Sequence, residues 1–190
     1  MGLLNLLRKL KKTNNEARVL VLGLDNAGKT TILKKMSDED PANIAPTQGF
    51  NIKSLSVDEF KLNVWDIGGQ ASIRPYWRNY FDNTDALVYV VDAADTRRGS
   101  ESAQELQQLL NESKLAGVPL LVFANKMDLG NSMEEDEVSE ILMMNDISDR
   151  EWHLLGCSAK TGDNLQEGLE WLVEKVNEAE ELSESKGNRM

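Results

Sequence analysis

Cysteine occurs once in 190 residues, as Cys157, so no internal disulfide can form and a reducing compartment such as the cytosol is expected. Histidine also occurs once, as His153 beside Trp152 at the start of an apolar run, where packing is the expected role. The sequence shows no His/Cys cluster with metal-ligand spacing. Uninterrupted apolar runs stay well short of the roughly 18 residues a spanning helix requires, and none reads as a signal-peptide core. Internal repeats and interdomain linkers are lacking too. What remains is 41% hydrophobic, enough for one domain with a sizeable core.

Charge is uneven. The chain carries −11, yet residues 1–12 hold Arg8, Lys9, Lys11 and Lys12 with no acid, so the other 178 residues share −15 (−11 less +4). An acidic body argues against nucleic-acid binding through the general surface, because phosphate neutralisation needs a basic face.

Short apolar runs alternate with segments of helical period, the pattern of an α/β fold with a largely parallel sheet. Ala17 to Gly23, Lys61 to Trp65, Ala86 to Val91, Val118 to Ala124 and Trp152 to Cys157 read as strands. Gly28 to Met36, Ser102 to Leu115 and Glu134 to Met144 read as helices, and Leu165, Leu169, Leu172, Val173 and Val176 mark the face of a last one. Phe50 to Val57 and Phe60 to Trp65 are separated only by Asp58-Glu59, too short for a crossover, which predicts an antiparallel hairpin. Three parts follow: residues 1–15 as an amphipathic helix and linker, 16–180 as one α/β domain, and 181–190 as an acidic and polar tail expected to be disordered.

Gly23-Leu24-Asp25-Asn26-Ala27-Gly28-Lys29-Thr30 fits G-x-x-x-x-G-K-[ST] after an apolar strand. Its glycines admit backbone N–H groups to phosphate oxygens, Lys29 supplies a point charge, and the Thr30 hydroxyl can ligate Mg²⁺. A kinase, an ATPase, a GTPase switch and a nucleotide-stabilised binding module of negligible turnover all use such a loop. Asn125-Lys126-Met127-Asp128 divides them. A fixed carboxylate at Asp128 accepts from the N1–H and amine of guanine, whereas adenine would leave it buried and unpaired. Asn125 can tie this loop to the phosphate loop, the Lys126 stem can cover the base, and Ser158-Ala159-Lys160 can offer an N–H to the guanine oxygen.

Between these motifs lie the groups suited to a third phosphate. Asp66 is expected to hold Mg²⁺, Thr47 to complete the metal shell, the Gly69 N–H to meet the γ-phosphate and Gln70 to orient the attacking water. Residues 37–52 contain no arginine, so no finger is supplied in cis by that loop and unaided hydrolysis should be slow.

Gly23 through Thr31, Pro46-Thr47-Gln48-Gly49-Phe50-Asn51 and Trp65-Asp66-Ile67-Gly68-Gly69-Gln70 resemble the Arf (ADP-ribosylation factor) family of small GTPases, over Met1 to about Val176. Met1-Gly2-Leu3-Leu4, Ile73-Arg74-Pro75-Tyr76-Trp77 and Ser158-Ala159-Lys160-Thr161-Gly162 look like its factor-like branch. Met127, where the family usually has Gln, and Ala71, where a basic residue commonly stands, depart from the pattern.

The resemblance implies the Ras-like P-loop fold, with a six-stranded mostly parallel sheet, one antiparallel edge strand and helices on both faces. It implies GTP and GDP with Mg²⁺, a GTPase-activating protein, an exchange factor, and effectors meeting an aromatic trio of Phe50, Trp65 and Tyr80 on a monomer. In the branch concerned, effectors are carriers of lipidated cargo released for ciliary trafficking, and a neighbouring branch implies tubulin-folding regulation with the same carriers. Cytoplasm, with cilium, Golgi or microtubules, is the expected location. Position 6 is leucine, so myristoylation, which needs Ser or Thr there, is not expected. The leading helix, with Leu3, Leu4 and Leu7 on its apolar side, instead needs a surface: the protein's own body, a membrane or a partner. The family couples such a helix to sliding of the hairpin, and the slide must be even-numbered to keep Phe60, Leu62 and Val64 on the buried face.

Overall fold

Three strands with scarcely a polar residue form the middle of the sheet: β1 (Glu16–Leu22), β4 (Ala86–Asp92) and β5 (Leu120–Asn125). Helices cover such strands on both faces, which is why they read as continuous apolar runs and not as alternation. The computed structural model describes residues 16–37, 39–40, 44–57 and 60–187. The leading helix expected around Leu3, Leu4 and Leu7 lies outside the described residues. Flanking strands are β2 (Phe50–Val57), β3 (Phe60–Ile67) and β6 (Trp152–Gly156), in the order β2-β3-β1-β4-β5-β6. All neighbours run parallel except β2 and β3, which pair antiparallel from Phe50 opposite Ile67 to Val57 opposite Phe60. The six-stranded mixed sheet expected from the sequence is therefore present, hairpin included.

Alternate side chains of each central strand enter two cores. Val19, Val21, Leu121 and Phe123 pack on Ile32 and Leu33 of α1 (Lys29–Met36) and on Leu169, Leu172 and Val176 of α4 (Leu165–Gly187). Leu20, Leu87 and Tyr89 face Leu106 of α2 (Gly99–Leu110), Val138 of α3 (Glu135–Ile141), and Trp77 and Phe81. Leu62 and Val64 of β3 are buried, so the pleat fixes that strand's register.

Helix ends differ from the sequence reading by a turn. α2 begins three residues early, at Gly99, and stops at Leu110, with the separate tight turn Ser113–Leu115 after it. α3 opens with a capping box of Glu134 and Glu137 and ends before Met143, which adopts φ 55° and sends the chain into another tight turn. The backbone of α4 continues to Gly187, into the segment read as a tail; Glu, Ser and Lys there tolerate helix even without an apolar face. The 3₁₀ turn Arg74–Tyr80, opened by Pro75, has no periodic signature in the sequence and is anchored by buried Trp77.

Candidate nucleotide site

The carboxyl ends of β1, β3, β5 and β6 release loops toward one another, the position at which open α/β sheets bind ligands. After β1, residues 23–28 arch over the N-terminus of α1, where unpaired backbone N–H groups favour anions. Gly28 sits at φ 100°, and a Cβ there would fall 2.2 Å from Asn125 Nδ2. The bare backbone lets Asn125 donate to the Ala27 carbonyl at 2.8 Å. Lys29 is buried, and its Nζ donates to the carbonyls of Gly23 (2.9 Å) and Leu24 (2.7 Å). Burial pulls its ammonium down to about 8, against the opposing pull of Asp66 and Asp25.

Thr30, Thr47 and Asp66 converge although they come from three separate elements. Thr30 Oγ1 donates to Asp66 Oδ2 at 2.6 Å and lies 2.9 Å from Thr47 Oγ1, which itself is 3.4 Å from Asp66 Oδ2. Asp66 is fully buried, and its Oδ1 has no hydrogen-bond partner among the described residues. Burial pushes this carboxyl up, opposed by the Thr30 hydroxyl, the Lys29 charge and the Thr47 hydroxyl. Two hydroxyls and a carboxylate with a spare oxygen are hard donors of the kind Mg²⁺ takes, so these residues fit that ion.

Gln70 Nε2 donates to the Thr47 carbonyl at 3.1 Å, and the Gly68 N–H to Gly49 at 2.8 Å, so the segments before β2 and after β3 close on each other. A Cβ at Gly69 would lie 2.3 Å from the Gly23 carbonyl oxygen and 2.4 Å from the Asp25 nitrogen. Only glycine can press this closely on the phosphate loop. Lys29, Thr30, Thr31, Thr47, Gly69 and Gln70 are among the residues lining one cavity of about 260 Å³.

Beyond it, Asn125 Oδ1 accepts from the Ala159 N–H at 2.9 Å, so one buried side chain spans the loops after β1, β5 and β6. Asp128 Oδ1 accepts from Ser158 Oγ at 2.8 Å, with Lys160 Nζ 3.8 Å from its other oxygen. Lys126, at φ 74°, pairs with Asp92 at 2.6 Å. Sequence reasoning missed Asp92, whose one signal was its place at the end of a buried strand. It also missed Glu135, which accepts the Gly156 N–H at 2.6 Å and so steadies the end of β6. Apart from these loops, Phe50, Trp65 and Tyr80 pack as a trio with centroids 5.3 to 5.9 Å apart, Phe50 stacked on Trp65 and Tyr80 tilted against both, and Phe50 is 45% exposed. Arg18 lies 3.9 Å above the Trp65 ring.

The ADP-ribosylation factor family model matches residues 3–176. The chain belongs to the Arf family. It is 63% identical over 176 residues to ADP-ribosylation factor-like protein 3 of Chlamydomonas reinhardtii, covering 93% of this chain and 99% of that one. Factor-like protein 2 of Dictyostelium discoideum is 51% identical over 176 residues, 93% and 96% of the two chains. Among solved structures, the Trypanosoma brucei Arl6 BBS3 small GTPase with the nucleotide analogue GppNp superposes with a TM-score of 0.77 at 32% identity, over 85% of this chain and 97% of that one. The family resemblance read from the motifs holds, at the factor-like level as well. This Arf-family protein is accordingly a GTP-binding GTP hydrolase.

Proposed function

We propose that the γ-phosphate of GTP is the signal this GTPase reads, and that Thr47 and Gln70 are its readers. The supporting observation is the closure of residues 44–49 on residues 68–70, with the Thr47 hydroxyl beside Thr30 and its carbonyl bonded to Gln70. A ligand bridging both segments holds them together, and its loss frees each to move. Lys29 and the loop N–H groups bind the phosphates, Asp128 reads guanine, and Asn125 keeps the two halves in register. Thr30, Thr47 and Asp66 hold Mg²⁺, which when bound neutralises phosphate charge. Gln70 orients the attacking water. Hydrolysis is slow until an activating protein supplies an arginine, a contribution of about 10³ to 10⁵ at such sites.

The GTP form then presents Phe50, Trp65 and Tyr80 to effectors. The likeness to factor-like protein 3 supports carriers of lipidated cargo as those effectors, with cargo delivered in the cytoplasm or to cilia. A carrier loaded with a fluorescent prenylated peptide tests this. The GppNp form should speed peptide release while the GDP form does not; equal release with both forms overturns the carrier reading.

A further inference from the structure

Arg74 lies four residues beyond Gln70, and its side chain is 8% exposed. The Nε donates to the Gly69 carbonyl at 2.7 Å. Its Nη1 donates to Glu101 at 2.6 Å and Glu105 at 3.1 Å, both on α2. Its Nη2 stands 3.6 Å from Asp25 Oδ1 in the phosphate loop. Asp25 is held in turn by Arg98, which reaches its carboxylate at 3.0 Å and its carbonyl at 3.1 Å. One guanidinium therefore joins the turn after β3, the phosphate loop and α2.

An exposed ion pair of this kind would contribute little. A buried planar fork with Nε and Nη1 hydrogen-bonded to separate acceptors and Nη2 facing a carboxylate has its geometry fixed in advance, which lysine cannot reproduce. The Gly69 carbonyl belongs to the peptide that leads into Gln70, so its hydrogen bond sets that peptide's plane. On the far side the Gln70 carbonyl accepts from the N–H groups of Ile73 (2.8 Å) and Arg74 (3.2 Å). The backbone of Gln70 is clamped on both flanks, and one of the two clamps is a side chain anchored on a distant helix.

We propose that Arg74 is a positioning residue for GTP hydrolysis, holding Gln70 in its water-orienting place through the Gly69 carbonyl, with Glu101 and Glu105 of α2 as its anchor. The proposal rests on the reading of Gln70 given above. Arg74 acts through Gln70, because its nitrogens are committed to a carbonyl and three carboxylates.

Single-turnover hydrolysis of γ-³²P GTP by the full chain in Mg²⁺ tests it, with mant-GDP release measured in parallel. Arg74→Ala should slow hydrolysis at least tenfold while mant-GDP release stays within twofold. Arg74→Lys should recover little. Glu101→Gln/Glu105→Gln, which leaves Arg74 in place, should also slow hydrolysis several-fold and carries the test if Arg74→Ala does not fold. In a Gln70→Leu background, Arg74→Ala should cost nothing more. A Gln70→Leu protein that is slow beside an Arg74→Ala protein within twofold of wild type overturns the Arg74 proposal alone. So does an additive loss in the double variant, or a wild-type rate for the two-glutamate variant. Wild-type hydrolysis by Gln70→Leu overturns the reading of Gln70 and this proposal with it.

Discussion

In the proposed reading Asp128 selects the base, because a carboxylate facing it pairs with the donors of guanine and not with the acceptor of adenine, and Ser158 holds that carboxylate in one orientation through its 2.8 Å hydrogen bond. Asp128→Asn turns one acceptor into a donor and should exchange guanine for xanthine. Isothermal titration should find GDP binding weakened by about 10² or more, with XDP binding gained; unchanged GDP affinity contradicts the assignment. Cys157 serves as an independent probe. Burial pushes its thiol up, Glu135 adding to the effect, so the fold favours the protonated form above the ordinary 9.0. That share of stability is complete below pH 9 and drains away as pH rises past it. The urea-midpoint difference between wild type and Cys157→Ala should be flat from pH 7 to 8.5 and change between pH 9 and 10.5; a flat difference throughout contradicts the burial account. At this scale Gly23 to Thr30, Asp66, Gln70 and Asn125 to Asp128 were legible because fixed spacing surrounds them. The anchoring role of Arg74 was not, nor were Asp92 and Glu135, since a charge in a chain with 28% charged residues does not announce which distant group it will meet.

Elements were legible where a period is strong. The runs of β1, β4 and β5 and the two-residue gap between β2 and β3 announced a parallel sheet with an antiparallel edge, and the pairing follows that pattern. The turn Arg74–Tyr80 was silent because a 3₁₀ turn has too few repeats to build a period, and Trp77, not propensity, anchors it. In the proposed switch the hairpin is the element that would slide. Leu62 and Val64 are buried, so any slide of β3 must proceed in steps of two residues. If residues 2–12 compete with that slide, deleting them should raise the rate of exchange from GDP to GTP several-fold, read by stopped-flow mant-nucleotide fluorescence. Unchanged exchange in the truncated protein contradicts the coupling. Trp65→Ala should abolish binding of GTP-dependent effectors and leave mant-GDP release within twofold, because Trp65 packs with Phe50 and Tyr80 outside the nucleotide cavity.

For the whole molecule, two cores on opposite faces of one sheet make a frame, and the site is gathered at one end of it from strand ends, the start of α1 and the loops between them. Fold class was legible because it depends on pattern over the full chain. The closing of residues 44–49 on 68–70 was not, because it joins segments through single hydrogen bonds at long sequence separation. Ligand linkage should be large. Nucleotide at about 100 times its Kd adds about 2.7 kcal/mol, so stripping Mg²⁺ and nucleotide with EDTA and phosphatase should lower Tm by about 5 to 10 °C. The central claim is that the γ-phosphate closes one part of this frame and leaves the rest alone. Hydrogen–deuterium exchange of the GDP and GppNp forms measures it most directly. The account predicts slower exchange with GppNp across residues 44–57 and 60–80, and equal exchange in β4 and β5. Identical exchange in both forms, with both nucleotides bound, would contradict it.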